Sequence, residues 1–160
     1  MKKQEVIKKL QKRVTPIGNG TAIDHIQPGL GLKIVEILGL GSKHAAAIAL
    51  NTESRKTKGG RKDLILMENR FLNEDELNKI KLIARKATVN TIKKYKVVKK
   101  ETLGLPEKVE GILQCINPVC ITNHEEIKTK FLIKKKPLKA KCFYCETSMN
   151  EEEIKRYIKK

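Results

Sequence analysis

Four cysteines stand as Cys115-x4-Cys120 and Cys142-x2-Cys145. Two short-spaced pairs, each on a turn that aims two sulfurs at one point, are what a tetrahedral four-thiolate site requires, and zinc is the ion such sites take. Four sulfurs fill the coordination sphere and leave no place for water, so the Zn²⁺ expected here, one per chain, is structural and not catalytic. His124 is near in sequence but reads as a surface histidine, because four thiolates already complete the set. Asp24-His25 has the residue types of an acid–base pair. If that segment is a strand, however, neighbouring side chains point to opposite faces and cannot converge on one reacting atom. GLGLKI and GLGSKH lack the third glycine of a dinucleotide fingerprint, and there is no G-x4-G-K-[ST] string. No Ser–His–Asp or Cys–His nucleophile arrangement is recognisable. The chain reads as one that binds, not one that catalyses.

These residues need elements to hold them. TAIDHI (21–26) alternates apolar and polar residues and stops at Pro28, which predicts a strand. PGLGLKIVEILGLG then places Leu30, Ile34, Ile37 and Leu38 on one helical face with glycines at the end, a helix of about three turns. HAAAIALN (44–51) and RKDLILMEN (61–69), separated by the basic TESRKTKGG, suggest a hairpin with a long loop. Asn73 with Glu76 three residues on forms a capping box ahead of the face Leu77, Ile80, Ala84 and Ala87. TVNTI (88–92) and YKVVKK (95–100) close the region as one bent strand or two short ones. The order predicts an α+β class: a split βαβ (ferredoxin-like) antiparallel sheet with both helices on one face.

At GLPEKVEG the texture changes to Gly, Pro and charge, which places a domain boundary at about 103–107. The expected domains are 1–103 and 104–160. The second holds every cysteine and the strand-like runs VEGILQC, KTKFLIKK and LKAKC, and ends in EEEIKRYIKK, a short helix whose acidic start and basic end suit the helix dipole. A mostly-β unit of this size has a marginal core by itself, and a metal would compensate.

The chain has 160 residues, with 35 Lys+Arg against 18 Asp+Glu and a net charge of +17. That charge is dispersed over 1–13, 53–62, 93–100, 128–141 and 155–160, which fits a solvated surface and leaves anionic ligands as the alternative. No apolar run is long enough to cross a membrane, and the first thirteen residues lack the apolar core of a secretory signal. A cytoplasmic protein is expected, with thiols kept reduced and free to bind metal. A nucleic-acid-binding module with a zinc ribbon is the chief alternative, and a zinc enzyme a distant third. Aromatics at 4% and the absence of tryptophan argue against base stacking.

Taken together, GTAIDHI (20–26), GRKDLILMEN (60–69), FLNEDELNKI (71–80), ATVNTIKKYKVV (87–98), LPE (105–107) and the cysteine spacing, in this order over roughly 14–158, resemble the regulatory chain of aspartate carbamoyltransferase. The resemblance implies a non-catalytic subunit of pyrimidine biosynthesis. Its N-terminal domain would bind the effectors CTP, UTP and ATP and pair with a second copy, and its zinc domain would grip the catalytic chain. By matching motif, Asp24 would contact the ribose, and His25 and Lys100 the phosphates. Ile17 and Tyr95 would offer backbone groups to the base, with Asn90, Ile92 and Val97 lining the site. At one position the chain departs. After GRKDLI the family's best-known members carry a lysine that reaches the ribose and base, and here Leu66 can neither donate a hydrogen bond nor carry charge.

Overall fold

The computed structural model describes residues 15–160, so the lysine-rich stretch ahead of them lies outside the described residues. The first sheet is fully antiparallel, with β1 (Gly20–Ile26), β2 (Ala46–Glu53), β3 (Arg61–Glu68), β4 (Thr88–Lys93) and β5 (Lys96–Thr102) in the spatial order β2-β3-β1-β4-β5. The first four strands and the helices α1 (Gly31–Ile37) and α2 (Glu74–Ile83) give the expected split βαβ order. The run after Ala87 forms two strands, not one. Lys94 and Tyr95 both take positive φ, at 49° and 61°, as a tight two-residue hairpin turn requires.

Alternation explains the sheet's two faces. Ile23, Ile65, Met67 and Val89 point one way and are buried against Ile34 and Leu38 of the α1 segment and Ile80 of α2. Ala22, Leu66, Asn90 and Lys100 are direct cross-strand partners and so share the opposite, helix-free face. Gly20 starts β1 at φ 140°, where a β-carbon would stand 1.9 Å from the Met67 carbonyl oxygen, so only glycine fits.

The helices are set by their ends. α2 begins at the capping box read in the sequence: Glu76 N donates to Asn73 Oδ1 at 2.8 Å and Asn73 N to Glu76 Oε2 at 3.0 Å. α1 has 7 residues, about two turns where the apolar spacing suggested three. Its apolar face continues past the point where Gly39, at φ 59°, donates to Glu36 O while Leu40 N reaches back to Val35 O, a Schellman stop. Its start is held by the fully buried Asp63, whose Oδ2 accepts from Gly29 N at 3.1 Å and Gly31 N at 3.0 Å, and whose Oδ1 accepts from Asn51 N at 2.7 Å.

The second sheet orders β6 (Lys108–Glu110), β7 (Lys130–Lys135), β8 (Leu138–Cys142) and β9 (Ser148–Asn150) side by side, all antiparallel. VEGILQC is a strand only at its start, because Gly111 at φ 72° turns the chain away. The terminal helix α3 (Glu151–Tyr157) forms as read, with a capping box on Asn150 and Glu153. Phe131, Met149, Ile154 and Leu113 pack here, and the same cluster takes in Ile37 from α1 and Leu82 and Ile83 from α2. Arg85 Nη2 lies 3.2 Å from Glu151 Oε2, and Lys160 Nζ 2.7 Å from Glu36 Oε1, so ion pairs flank this apolar seam.

Candidate functional site

The cysteine site is built from two knuckles, one between β6 and β7 and the other between β8 and β9. The first is folded by Cys120 N donating to Asn117 O at 3.0 Å, and Asn123 Nδ2 ties it down by donating to the carbonyls of Cys115 and Asn117 at 2.9 and 2.8 Å. The second follows β8, where Glu146 at φ 61° donates its N–H to Cys142 O at 3.0 Å. The sulfurs meet: Cys115 to Cys145 is 3.5 Å, Cys120 to Cys142 is 3.8 Å, and all four lie within 4.8 Å of one another. Four thiolates at about 2.3 Å from one ion would be separated by about 3.8 Å, so the donors fit a tetrahedral metal. Burial pushes the Cys115 and Cys142 thiols up. Desolvation acts the same way on Cys145, but hydrogen bonds from Thr147 and Asn117 outweigh it and hold that thiol at about 6. Four soft donors packed this closely match a thiophilic cation. His124 turns its Nε2 to Pro118 O at 2.7 Å and is exposed, away from the set.

The helix-free face of the first sheet gathers the other candidates. Strand alternation alone would send Asp24 and His25 to opposite faces, and the structure corrects that expectation. The β1–β3 register shifts between Ile23 and Ile26, His25 takes φ 56°, and this bulge bends the two side chains together. Asp24 Oδ2 lies 3.6 Å from His25 Nδ1, and its Oδ1 accepts from His25 N at 2.6 Å. The buried His25 Nδ1 has no hydrogen-bond partner among the described residues.

Lys62 is the residue that sequence reasoning missed. Its Nζ reaches Asp24 Oδ1 at 2.7 Å, and it shares the face of Leu64 and Leu66 by alternation along β3. The GRKDLI string contained that signal. Burial of the Asp24 carboxyl opposes ionisation, but the Lys62 ammonium and the His25 amide prevail and hold it below the usual carboxylate range. Asn90 and Lys100 face each other across β4 and β5, one register step of two from Asp24's partner Thr88. Lys100 is exposed and pairs with no carboxylate among the described residues.

Ile92 and Val97 form the next pair along the same strands. Tyr95, 75% exposed, closes the far end, where its N–H donates to Gly18 O at 2.9 Å and its ring covers Gly18 beside Ile17. Asp24, His25 and Lys62 therefore sit at one end of a strip, Asn90 and Lys100 at its middle, Ile17 and Tyr95 at the other end. Leu66, opposite Ala22 and Ala47, makes part of the strip's floor apolar.

Such a chain, with a closed thiolate centre in one sheet and a charged strip on the open face of another, is of the binding and assembly class. Its N-terminal part, residues 12–104, matches the family model described as aspartate carbamoyltransferase regulatory chain, allosteric domain, and residues 107–155 match that chain's metal binding domain. The aspartate carbamoyltransferase regulatory chain of Thermococcus sibiricus is 52% identical over 143 residues, covering 89% of this chain and 94% of that one. The one from Pyrococcus abyssi is 53% identical over 146 residues, with 89% and 95% covered. That of Methanococcus vannielii is 43% identical over 149 residues, with 92% and 99% covered. The chain belongs to the family of aspartate carbamoyltransferase regulatory chains, non-catalytic subunits with a metal-binding domain. No helix among the described residues is long and apolar enough to cross a membrane.

Proposed function

We propose that the open face of the N-terminal domain, 1–103, binds a nucleoside triphosphate (CTP, UTP or ATP), and that the C-terminal domain, 104–160, holds one Zn²⁺ and carries the effect to the catalytic chain. The observation that supports this best is the strip itself. Its ion-paired end suits ribose and phosphate, Lys100, which pairs with no carboxylate among the described residues, suits phosphate, and backbone groups near Ile17 and Tyr95 suit a base. Cys115, Cys120, Cys142 and Cys145 are the metal ligands in this reading, with zinc favoured by a donor set of sulfur alone. A second copy would join through the N-terminal domain, where the edge strand β2 exposes Ile48 and Leu50.

Regulation is linkage. A nucleotide shifts the enzyme only as far as its affinity differs between two quaternary states, and substrate must shift nucleotide affinity in return. The route runs from the sheet through α2, whose Leu82 and Ile83 join the C-terminal core. Co-expression with the catalytic chain, followed by size measurement and activity assays with and without CTP, UTP and ATP, tests the reading. A larger assembly whose activity responds to nucleotide is expected in the cytoplasmic fraction. Assembly without any nucleotide response, or steeply salt-dependent RNA binding in its place, would reject it.

A further inference from the structure

Each cysteine knuckle is followed by the same short string. Cys120-Ile121-Thr122 leaves the first and Cys145-Glu146-Thr147 leaves the second, so the later cysteine of each pair has a threonine two residues on. The two segments differ in conformation. Thr122 lies in a single 3₁₀ turn, Ile121–Asn123, whereas Thr147 precedes β9 and its carbonyl accepts from Cys142 N at 2.9 Å. Both nevertheless bring a hydroxyl to a sulfur. Thr122 Oγ1 stands 3.2 Å from Cys120 Sγ, and the Thr147 side chain hydrogen-bonds to Cys145. Both threonines are half-buried.

The knuckles' own amides serve a different pair of sulfurs. The earlier cysteine of each pair accepts from backbone inside its turn: the Asn117 amide donates to Cys115, and the Tyr144 and Cys145 amides donate to Cys142. Those donors come with the turn, whatever its side chains. The later cysteine closes its turn, so its donors come from elsewhere. For Cys120 the Thr122 hydroxyl is at hand, and Cys145 has the Thr147 hydroxyl and amide together with the Asn117 side chain, which reaches across from the other knuckle.

A cysteine holds a metal as its thiolate, which has no proton to give, so in the loaded site the hydroxyl must be the donor. Four thiolates around a divalent ion leave net negative charge, and three of the four cysteines are buried. Hydrogen bonds donated to sulfur spread that charge where water cannot. We propose that the Thr122 and Thr147 hydroxyls are positioning groups of the metal centre, each donating to the thiolate two residues before it and together setting how tightly the ion is held. Their role rests on the reading of Cys115, Cys120, Cys142 and Cys145 as ligands of one Zn²⁺.

The test uses the full chain, with zinc affinity measured by competition against a chromophoric chelator and the thiolate charge-transfer band recorded after loading with cobalt(II). Valine keeps the branched outline of threonine and removes the oxygen. Thr122→Val and Thr147→Val should each weaken zinc binding about tenfold, the lower end of what outer partners of a metal ligand contribute, and the double variant about a hundredfold. A thiolate that loses a donor is more electron-rich, so at saturating cobalt its band should move to longer wavelength. Packing alone would leave that band in place. Thr122→Ser and Thr147→Ser keep the hydroxyl and should restore both readouts. Unchanged affinity and band in the valine variants would overturn the role while leaving the metal site standing, and so would losses that serine does not restore. If the wild type takes up neither zinc nor cobalt, the metal reading itself fails and the role of the hydroxyls falls with it.

Discussion

The Asp24 carboxylate is where charge and backbone geometry meet. It accepts the His25 N–H and pairs with Lys62, so its folded value is depressed relative to the ordinary 3.8 despite partial burial. A depressed value means that the stabilisation is complete above the unfolded value and is lost as pH falls through the folded one. Thermal melts of the wild type should therefore lose stability on acidification below about pH 4 more steeply than those of Asp24→Asn, which has no carboxyl to protonate. Parallel melting curves across that window would show that the pair contributes nothing. Lys100, free of any carboxylate among the described residues, should matter to ligand and not to fold. Lys100→Ala is expected to weaken CTP binding about tenfold, the worth of one charge-assisted hydrogen bond, with assembly intact, and titration calorimetry with size measurement checks both halves. The misreading of Asp24-His25 has its cause at this scale. Side-chain alternation was legible from TAIDHI, but the bulge that overrides it depends on pairing with a strand some forty residues away, and no local residue type announces it.

At the scale of elements, periodicity and caps carried the reading well where the signal was local. The Asn73–Glu76 box is written in four consecutive residues and sits where expected. The extent of α1 was less legible, since Leu38, at the helix's C-cap, and Leu40, past Gly39, continue an apolar pattern and serve the core from outside the helix. What fixes α1 is Asp63, which the sequence offers only as one of four charged residues in β3 and does not mark as the buried one. Its carboxylate serves three backbone N–H groups from two segments and sits at the positive end of the helix. Asp63→Ala would leave the buried Gly31 N–H and the part-buried Gly29 and Asn51 N–H groups without this acceptor and should cost about 1–3 kcal/mol of stability, measured by chemical denaturation. Because β3 also carries Lys62, the same substitution should loosen the strip's charged end. A loss below about 0.5 kcal/mol would mean that water replaces the carboxylate without penalty.

At the scale of the whole molecule, the two sheets are unequally self-sufficient. The first has a core of its own in Ile23, Ile34, Ile65, Met67 and Ile80. The second has Cys115, Cys120 and Cys142 inside its core cluster, together with Phe131, Met149 and Ile154, so the thiolate centre and the apolar packing are one object. Zinc, the ion proposed for this centre, would contribute about 10–16 kcal/mol to the fold that contains it, more than a fifty-residue core supplies unaided. Removing the ion, by a strong chelator or by Cys142→Ser, should therefore melt β6 to β9 and strip the seam on Ile37, Leu82 and Ile83 while the first sheet stays folded. The expected record is asymmetric. Co-assembly with the catalytic chain is lost, circular dichroism falls in part, and CTP still gives titration heats on the remaining half. Full assembly after verified metal loss would separate the cysteines from the docking role. Loss of nucleotide binding together with assembly would show that the seam makes the two sheets a single folding unit.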